Sequence, residues 1–397
     1  SMIFPCDALD ENELKIASLF SNTLTDIGLG KDGYEDIQKY QSSITGGISA
    51  SFITIPNKSD DTFKLALKVS SKSLEGNESY MQDLILRTVK ESSFDETKRI
   101  EELLEFISSD NEKSVIQNGH ILSMSNAASQ ISDIASTNDL TSGLRFIHNT
   151  NHLSKLIGED DELAKYLELL RSINSKISNT PSHLFTASAL DKAKLNLDFT
   201  IKENTHHYKN QGLVALQSNP IGWITGSQVC FCAEAFPTVD YKHEDAPALT
   251  VLGTVLRNGY LHSAIREKGG AYGAGASQDS NNKVFKFFSY RDPKCTETFK
   301  EFKKSREWSI KNITEEQLEE GVLGVISSID KPLSPFGEAM SDFMSSLDQK
   351  TQDERLSFRS KVKECSLADL AMVSAKYLFN ESKRSAIAGQ NYETELK

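Results

Sequence analysis

The sequence predicts an α+β fold in which two homologous domains each pack helices against an antiparallel sheet. Short segments of alternating apolar and polar residues occur in both halves, which is typical of strands with one buried face. Between them, apolar residues recur every three or four positions, which is typical of helices. The 397 residues are enough for two domains of ordinary size. We therefore predict a helix-rich first domain without a zinc motif at residues 1–200 and a second domain at residues 201–397.

The first half begins with a helical pattern over residues 11–27 that ends at Gly28. The later elements are a short helix at 34–40, strands at 48–55 and 63–69, helices at 80–89, 95–107, 114–134, 140–156 and 161–177, and a strand at 184–187. No opening strand pair is recognisable before the first helix, and Ser1-Met2 has the form of an expression-tag scar. Either the first domain is truncated at its start or the strand pair is absent. From the tag scar we expect that the natural N-terminus is missing, and the sequence gives no indication of targeting.

The second half again interleaves strands with helix pairs, after a junction near residues 190–210. Its elements are strands at 213–216 and 228–235, a helix at 246–266, a hairpin of 271–277 with 284–290, five further helices, and a strand at 385–388. Asp292-Pro293 is typical of a helix start, because aspartate caps helices and proline fits the first helical position. Thr314 and Ser366 each begin the spacing of a capping box.

Composition and charge exclude several classes of partner. The formal net charge of -12 disfavours a general binder of nucleic acid or of anionic membranes, since both need basic patches. No apolar run approaches the roughly 18–20 residues of a membrane helix. The five cysteines have neither disulfide-framework nor zinc-ribbon spacing, so we expect a reducing compartment such as a bacterial cytoplasm or an organelle matrix.

The most informative segment is residues 261–277, Leu-His-Ser-Ala-Ile-Arg-Glu-Lys-Gly-Gly-Ala-Tyr-Gly-Ala-Gly-Ala-Ser. A helix runs into a double-glycine turn there, with Arg266 before the turn and Tyr272 after it. The small residues that follow allow another backbone to lie close to the strand, and a guanidinium and a phenol can hold a peptide carbonyl. A structural interpretation is equally open: a basic residue at a helix end, a glycine stop and a strand tyrosine.

The ligand motifs of zinc peptidases do not occur in the sequence. Such enzymes place two histidines on one helix face with a carboxylate base, as in HExxH or HxxEH. His148 and His152 are four residues apart, but no acidic residue lies between them, so solvent-facing histidines are favoured over a metal site. The adjacent His206 and His207 point apart on any regular element, and His262 is either packed, solvated or part of the groove near the turn. We predict no metal site in this chain.

Three other kinds of site are disfavoured. The glycine run that begins at Gly269 follows a helix and opens a strand, whereas phosphate loops run from a strand to a helix. No GxSxG nucleophile elbow is present. None of the five cysteines has a neighbour in the sequence that indicates an activated thiolate.

The segment from Leu261 to Gly273 resembles the C-terminal-half signature of the pitrilysin/insulinase zinc metallopeptidases, with the arginine, the double glycine and the tyrosine at the spacing of that family. The helix-rich first half, in which Thr45-Gly46-Gly47-Ile48 opens a strand, is most similar to the presequence-protease and falcilysin branch. The resemblance extends over essentially the whole chain and is sharp at residues 246–292.

This resemblance implies two halves, each of two α+β domains, that close around a chamber. The N-terminal half carries HxxEH and a distal glutamate, so zinc is expected there in the complete enzyme and not in this chain. The resemblance also implies that Arg266 and Tyr272 are catalytic and bind substrate, together with Gly270, Ala271 and Gly273. Tyr272 would help to stabilise the oxyanion of the tetrahedral intermediate, and Arg266 would orient the substrate carbonyl or the tyrosine.

We therefore predict the C-terminal, non-zinc-binding half of a zinc metalloendopeptidase that degrades unfolded peptides. Its expected partners are an N-terminal zinc-binding half, in the same polypeptide or as a separate subunit, and peptide substrates. Without HxxEH, this chain alone is predicted to be inactive. The alternatives are a non-catalytic structural subunit and a peptide-binding member of the same family; the presence of the Arg–Tyr pair favours the catalytic interpretation.

Overall fold

A computed structural model describes residues 1–6, 9–56, 62–158, 160–180, 183–187 and 222–392. Helices combine with two sheets in which antiparallel pairing dominates, so the predicted α+β class is confirmed. The predicted junction at 190–210 and the predicted strand at 213–216 lie outside the described residues, and the domain boundary at residue 200 stays a prediction.

The chain divides into two compact units. The first comprises Ser1–Glu112, Leu140–Gln211 and Pro335–Gln349, and the second comprises Lys113–Asp139, Gly212–Ser334 and Lys350–Lys397. All the residues predicted to bind substrate belong to the second unit.

The sheet of the first unit has four antiparallel strands in the order β2-β3-β1-β4. They are β1 (Met2–Pro5), β2 (Ile48–Pro56), β3 (Phe63–Ser71) and β4 (His183–Leu184). Met2 pairs with Val69 on one side and with Leu184 on the other, so β1 lies inside the sheet. This opening strand was not predicted, because all four of its residues are buried and an unbroken apolar segment shows no alternation.

Eight helices are described before residue 180. They are α1 (Glu11–Lys15), α2 (Ala17–Leu24), α3 (Tyr34–Ile44), α4 (Glu78–Lys90), α5 (Thr97–Ser129), α6 (Asp133–Ser142), α7 (Leu144–Leu156) and α8 (Asp160–Ser178). Ile16 leaves helical geometry and splits the helix predicted over residues 11–27 into two. Gly143 separates α6 from α7, whereas two predicted helices merge into α5 with a kink at Asn118.

The sheet of the second unit has five strands in the order β5-β9-β6-β8-β7. They are β5 (Gly222–Thr225), β6 (Phe231–Pro237), β7 (Gly273–Asp279), β8 (Val284–Tyr290) and β9 (Lys383–Gly389). Only the β5–β9 pair among these described strands is parallel. The predicted hairpin of β7 with β8 is confirmed, with Gly273 opposite Tyr290 and Asp279 opposite Val284.

Helix α9 (Ala246–Leu256) continues directly into a π-helical segment, Arg257–Glu267, where one α-helix was predicted. The later helices are α10 (Thr296–Lys311), α11 (Glu315–Ile329), α12 (Pro335–Leu347), α13 (Gln352–Lys363) and α14 (Leu367–Tyr377). The capping boxes predicted at Thr314 and Ser366 are confirmed. Helix α10 begins at Thr296, later than the start predicted at Asp292-Pro293. Asp292 therefore does not cap the helix, and its carboxylate instead accepts the hydroxyl hydrogen of Thr298 at 2.6 Å.

The apolar core of the second unit lies between one face of its sheet and helices α9, α10, α11, α13 and α14. Its fully buried members include Phe236, Leu252, Phe287 and Phe302. The end of α5 packs on the opposite face, where Ala127 meets the small side chains of β6. Within the described parts of the chain, no helix has the length and apolar character needed to cross a membrane.

Candidate functional site

The turn between the π-helical segment and β7 is closed by backbone hydrogen bonds. The Gly270 N–H donates to the Arg266 carbonyl at 3.0 Å, and the Ala271 N–H donates to the Ile265 carbonyl at 3.1 Å. Gly270 has φ +87°, a left-handed conformation that favours glycine. A methyl group added at Gly269 would lie 2.3 Å from the Ile265 carbonyl oxygen. The double glycine is therefore required by the turn geometry itself.

Arg266 lies at the end of the π-helical segment with its side chain exposed. Its Nη1 is 3.3 Å from Nε2 of His262, and Nδ1 of His262 is 3.5 Å from a carboxylate oxygen of Glu267. In a π-helix, hydrogen bonds link residues five apart. The side chains of Arg266 and Glu267, four and five positions after His262, therefore both lie beside it. Because arginine can only donate, Nε2 of His262 is the acceptor in its hydrogen bond with Arg266.

Tyr272 begins the strand side of the turn, and 66% of it is exposed. Its N–H donates to the Arg291 carbonyl at 3.3 Å, and its ring meets the Tyr290 ring edge to face, with centroids 5.5 Å apart. Within the described part of the chain its hydroxyl has no hydrogen-bond partner. The turn thus places the phenol and the Arg266 guanidinium at its two ends, both open to solvent.

The other predicted substrate-binding residues differ in exposure. Ala271 is 4% exposed, so its side chain anchors the turn in the core. Gly273 is different, since a methyl group added there would meet no atom of the described residues within 4 Å. The structure therefore leaves open space beside Gly273 and none beside the Ala271 methyl group. Substrate contacts by Gly270, Ala271 and Gly273 stay predictions.

The small residues of β7 have a packing role that was not predicted. A methyl group at Gly253 on α9 would lie 3.1 Å from the Ala276 carbonyl oxygen and from the Ser277 Cα. A methyl group at Gly275 would lie 2.8 Å from the Phe288 ring. The small residues thus allow a helix and an aromatic ring to approach the strand closely, instead of only making room for a peptide.

The three buried thiols of Cys230, Cys232 and Cys295 lie close together, a feature not predicted from the sequence. Sγ of Cys232 lies 3.6 Å from Sγ of Cys295, and hydrogen bonds from Cys230 and Cys232 lower the pKa of Cys295. The hydrogen bond to Cys295 and burial raise the pKa of Cys232. No cysteine was expected to have a partner that indicates an activated thiolate; the structure brings these three thiols together, all of them buried. The two-residue spacing of Cys230 and Cys232 places these two thiols on the same side of an extended segment, but no local pattern connects them to Cys295.

The described residues include no group of three or more histidine, cysteine, aspartate or glutamate side chains that could hold a metal ion. His148 and His152 lie on α7, whereas His206 and His207 lie outside the described residues. Of the histidines considered from the sequence, only His262 is described beside the predicted site.

Two surface grooves are prominent, one in each unit. A groove of about 540 Å³ in the second unit is lined by the π-helical segment and α10, including Lys268, Gly269 and Lys294. There the Tyr260 hydroxyl donates to Glu301 at 3.0 Å, and burial together with this carboxylate raises the pKa of Tyr260 to about 12. A larger groove of about 890 Å³ in the first unit contains none of the predicted site residues. The larger groove therefore does not coincide with the predicted site.

Two family models match the chain. Residues 1–153 match the model of the domain associated with M16 peptidases of subfamily C, and residues 227–385 match the PreP C-terminal domain. The second match contains the whole turn from Arg266 to Tyr272.

Mitochondrial presequence proteases are among the similar curated proteins. The protein of Drosophila melanogaster is 28% identical over 394 residues, and that of Saccharomyces cerevisiae is 26% identical over 406 residues. The alignments cover 96% and 94% of this chain but 37% and 39% of those proteins. The chain therefore spans well under half the length of these relatives.

Solved structures share the fold. A conserved protein from Enterococcus faecalis has a TM-score of 0.62 at 12% identity, and a peptidase M16 inactive domain from Pseudomonas fluorescens has a TM-score of 0.57 at 14% identity. Each match covers 98% of this chain and 92% of the other. At these identities the similarity establishes the fold alone.

Proposed function

We propose a function from the premise that this chain belongs to the M16 peptidase family, as an inactive C-terminal part of a protease similar to the presequence proteases. In this proposal the chain supplies Arg266 and Tyr272 to the active site of an endopeptidase whose other half binds zinc. The observation that supports it most is the closed turn, which holds an exposed guanidinium and an exposed phenol six residues apart in the sequence.

The two side chains suit complementary tasks on a peptide backbone. The Tyr272 hydroxyl has no partner in the described part of the chain, so it is available to donate to a substrate carbonyl and to the oxyanion that develops from it. The Arg266 guanidinium has five N–H donors in a planar fork, of which His262 occupies one. Arg266 would therefore hold a carbonyl while Tyr272 stabilises the developing charge.

Zinc chemistry is not assigned to this chain. The family implies zinc in the complete enzyme, but the described residues offer no group able to hold it. The role of this chain is to bind and orient the peptide, and the metal would be bound by an N-terminal half that carries HxxEH.

The proposed substrates are unfolded basic peptides of the presequence type. The similar proteins are named presequence proteases, and the formal net charge of -12 favours cationic peptides over acidic ones. The proposed compartment is a reducing organelle matrix, which agrees with the five cysteines, all of them described, forming no disulfide bond.

Reconstitution tests the proposal. This chain is mixed with an N-terminal half that carries HxxEH, and cleavage of a fluorogenic basic peptide is followed. We expect Tyr272→Phe to lower kcat about 10²–10³-fold, because one oxyanion donor is lost. Arg266→Ala should also lower the rate, and Arg266→Lys should recover only part of it, because lysine lacks the planar fork.

The alternatives give other results in the same assay. A structural subunit would bind its partner half, yet both substitutions would leave peptide affinity and cleavage unchanged. A peptide-binding member would bind the peptide through Arg266 and Tyr272 without any cleavage. Unchanged hydrolysis in both variants would contradict the proposed roles.

A further inference from the structure

Tyr272 is the least restrained of the residues in the proposed site. It is 66% exposed and its hydroxyl has no hydrogen-bond partner in the described part of the chain. Its ring therefore has one described aromatic neighbour to orient it, the ring of Tyr290, at 5.5 Å between centroids and an interplanar angle of 83°. Edge-to-face contact of this kind is a favoured arrangement of two aromatic rings.

Tyr290 is itself held from several sides. The His120 ring lies 4.5 Å from it between centroids, the Phe231 ring lies 5.9 Å away, and the Arg291 guanidinium lies 5.4 Å from its centroid. His120 also contacts the Phe288 ring at 5.8 Å. Tyr290 is therefore a fixed surface on which the exposed Tyr272 ring rests.

The kink of α5 brings His120 to this place. The helix leaves regular geometry at Asn118, and Gly119 packs so closely that a methyl group there would lie 2.5 Å from the Phe231 ring. Nδ1 of His120 is buried and has no hydrogen-bond partner among the described residues, and burial lowers the pKa of His120. An unsatisfied buried nitrogen costs stability. The favourable contribution of His120 here is therefore the packing of its ring against the rings of Tyr290 and Phe288.

The end of β8 fixes the other side of the same surface. Arg291 has φ +49°, a left-handed conformation that is uncommon outside glycine. Its carbonyl accepts the Tyr272 N–H, while Asp292 exchanges backbone hydrogen bonds with Cys230 at 2.7 and 2.9 Å. Strained residues of this kind persist where the surrounding structure holds them, as it does here.

We infer that Tyr290 and His120 are positioning residues for Tyr272. The His120 ring packs against the Tyr290 ring and fixes its orientation, and the Tyr290 ring in turn orients the Tyr272 phenol toward the peptide. This inference rests on the proposed function, in which Tyr272 donates to the substrate oxyanion. Neither residue contacts the peptide in this account, and both act through the orientation of one hydroxyl.

A double-mutant cycle in the reconstituted enzyme tests the inference. Tyr290→Leu is expected to lower kcat about tenfold with little change in KM, because a misplaced donor loses transition-state binding. Tyr290→Phe keeps the ring and should retain most of kcat, and His120→Phe should retain more than His120→Ala. In the Tyr272→Phe background, the effect of Tyr290→Leu should fall below about twofold, since no hydroxyl remains to be oriented.

A spectroscopic measurement on this chain alone makes the test independent of activity. With 3-fluorotyrosine at position 272, the ring current of Tyr290 should displace the fluorine resonance from its unfolded value. The displacement should persist in Tyr290→Phe and largely vanish in Tyr290→Leu, with far-UV circular dichroism showing that each variant is folded.

The outcomes separate the two proposals. An undiminished effect of Tyr290→Leu in the Tyr272→Phe background, or a resonance unmoved by Tyr290→Leu, would overturn the positioning roles and leave the proposed function intact. No effect of Tyr272→Phe on cleavage would instead overturn the proposed function, whatever the fluorine resonance shows.

Discussion

Each unit of the molecule has a double-glycine turn that opens a strand: Gly46-Gly47 before β2 and Gly269-Gly270 before β7. The second glycine is left-handed in both, with φ +99° and +87°. The first glycines differ, since a methyl group at Gly46 would meet the flexible side chain of Lys72 at 2.8 Å. At Gly269 it would meet a backbone carbonyl at 2.3 Å. The same dipeptide is therefore adaptable in the first unit and fixed in the second, where the proposed site lies.

Gly269→Ala is expected to have the largest effect on this contrast. The added methyl group collides with the Ile265 carbonyl, which cannot move without opening the turn. We expect a loss of about 2–4 kcal/mol in the free energy of unfolding and, in the reconstituted enzyme, a fall in kcat like that of Tyr272→Phe. Gly46→Ala is the matched control and should cost less than about 1 kcal/mol, because Lys72 can move aside. Equal losses in urea unfolding would contradict the contrast.

Gly119→Ala compares tight glycine packing in the second unit with an open glycine in the first. Gly119 lies against the Phe231 ring, which contacts Tyr290. In the second unit, its methyl group would lie 2.5–2.8 Å from the Phe231 ring, so we expect a destabilisation of about 1–3 kcal/mol. Gly158 in the first unit is the control, since a methyl group there meets no atom of the described residues within 4 Å. Gly158→Ala should be neutral or stabilising by up to about 1 kcal/mol. Thermal midpoints measure both, and a smaller loss for Gly119→Ala than for Gly158→Ala would contradict the packing described.

Acid should weaken the interactions of Asp245 at the start of α9, the helix that leads to the turn. Burial alone would raise the pKa of Asp245, but hydrogen bonds from Lys376 at 2.7 Å and Tyr377 at 2.6 Å outweigh it and lower that pKa. A carboxylate with a lowered pKa in the folded state stabilises the fold above its unfolded pKa of about 4. That contribution disappears as the pH falls through the folded pKa.

Asp245→Asn isolates this contribution. At pH 6 the variant should unfold at lower urea than the parent chain, by about 1–3 kcal/mol, because charge-assisted hydrogen bonds are lost. Near pH 3, which lies below the unfolded pKa, the difference should shrink, because there the contribution of the ionised carboxylate falls with pH. A difference that stays constant between the two pH values would contradict the role of the ionised carboxylate.

Local patterns predicted most of the elements but not their breaks. The hairpin of β7 and β8 and the capping boxes at Thr314 and Ser366 were predictable because each depends on residues close in sequence. β1 was missed because strands buried on both faces carry no period. The apolar residues of the π-helical segment have the spacing of an α-helix, so the sequence carries no sign of its wider turns. Those turns depend on tertiary packing.

The same division applies to the site. The turn from Arg266 to Tyr272 was predicted because its chemistry lies within seven consecutive residues. The support that Tyr290 and His120 give to Tyr272 depends on residues that are 18 and 152 positions away, which no local pattern connects. The thiol group was missed for the same reason, since Cys295 reaches Cys232 only through the packing of α10 on β6.

One paired measurement tests the central claim most directly. In the enzyme reconstituted with an HxxEH-bearing half, kcat is compared for Tyr272→Phe and for Tyr80→Phe, a tyrosine of the first unit that is similarly exposed at 56% against 66%. We expect Tyr272→Phe to lower kcat about 10²–10³-fold and Tyr80→Phe to leave it within about twofold. Equal rates for the two variants would contradict the assignment of the turn as the peptide-binding part of the active site.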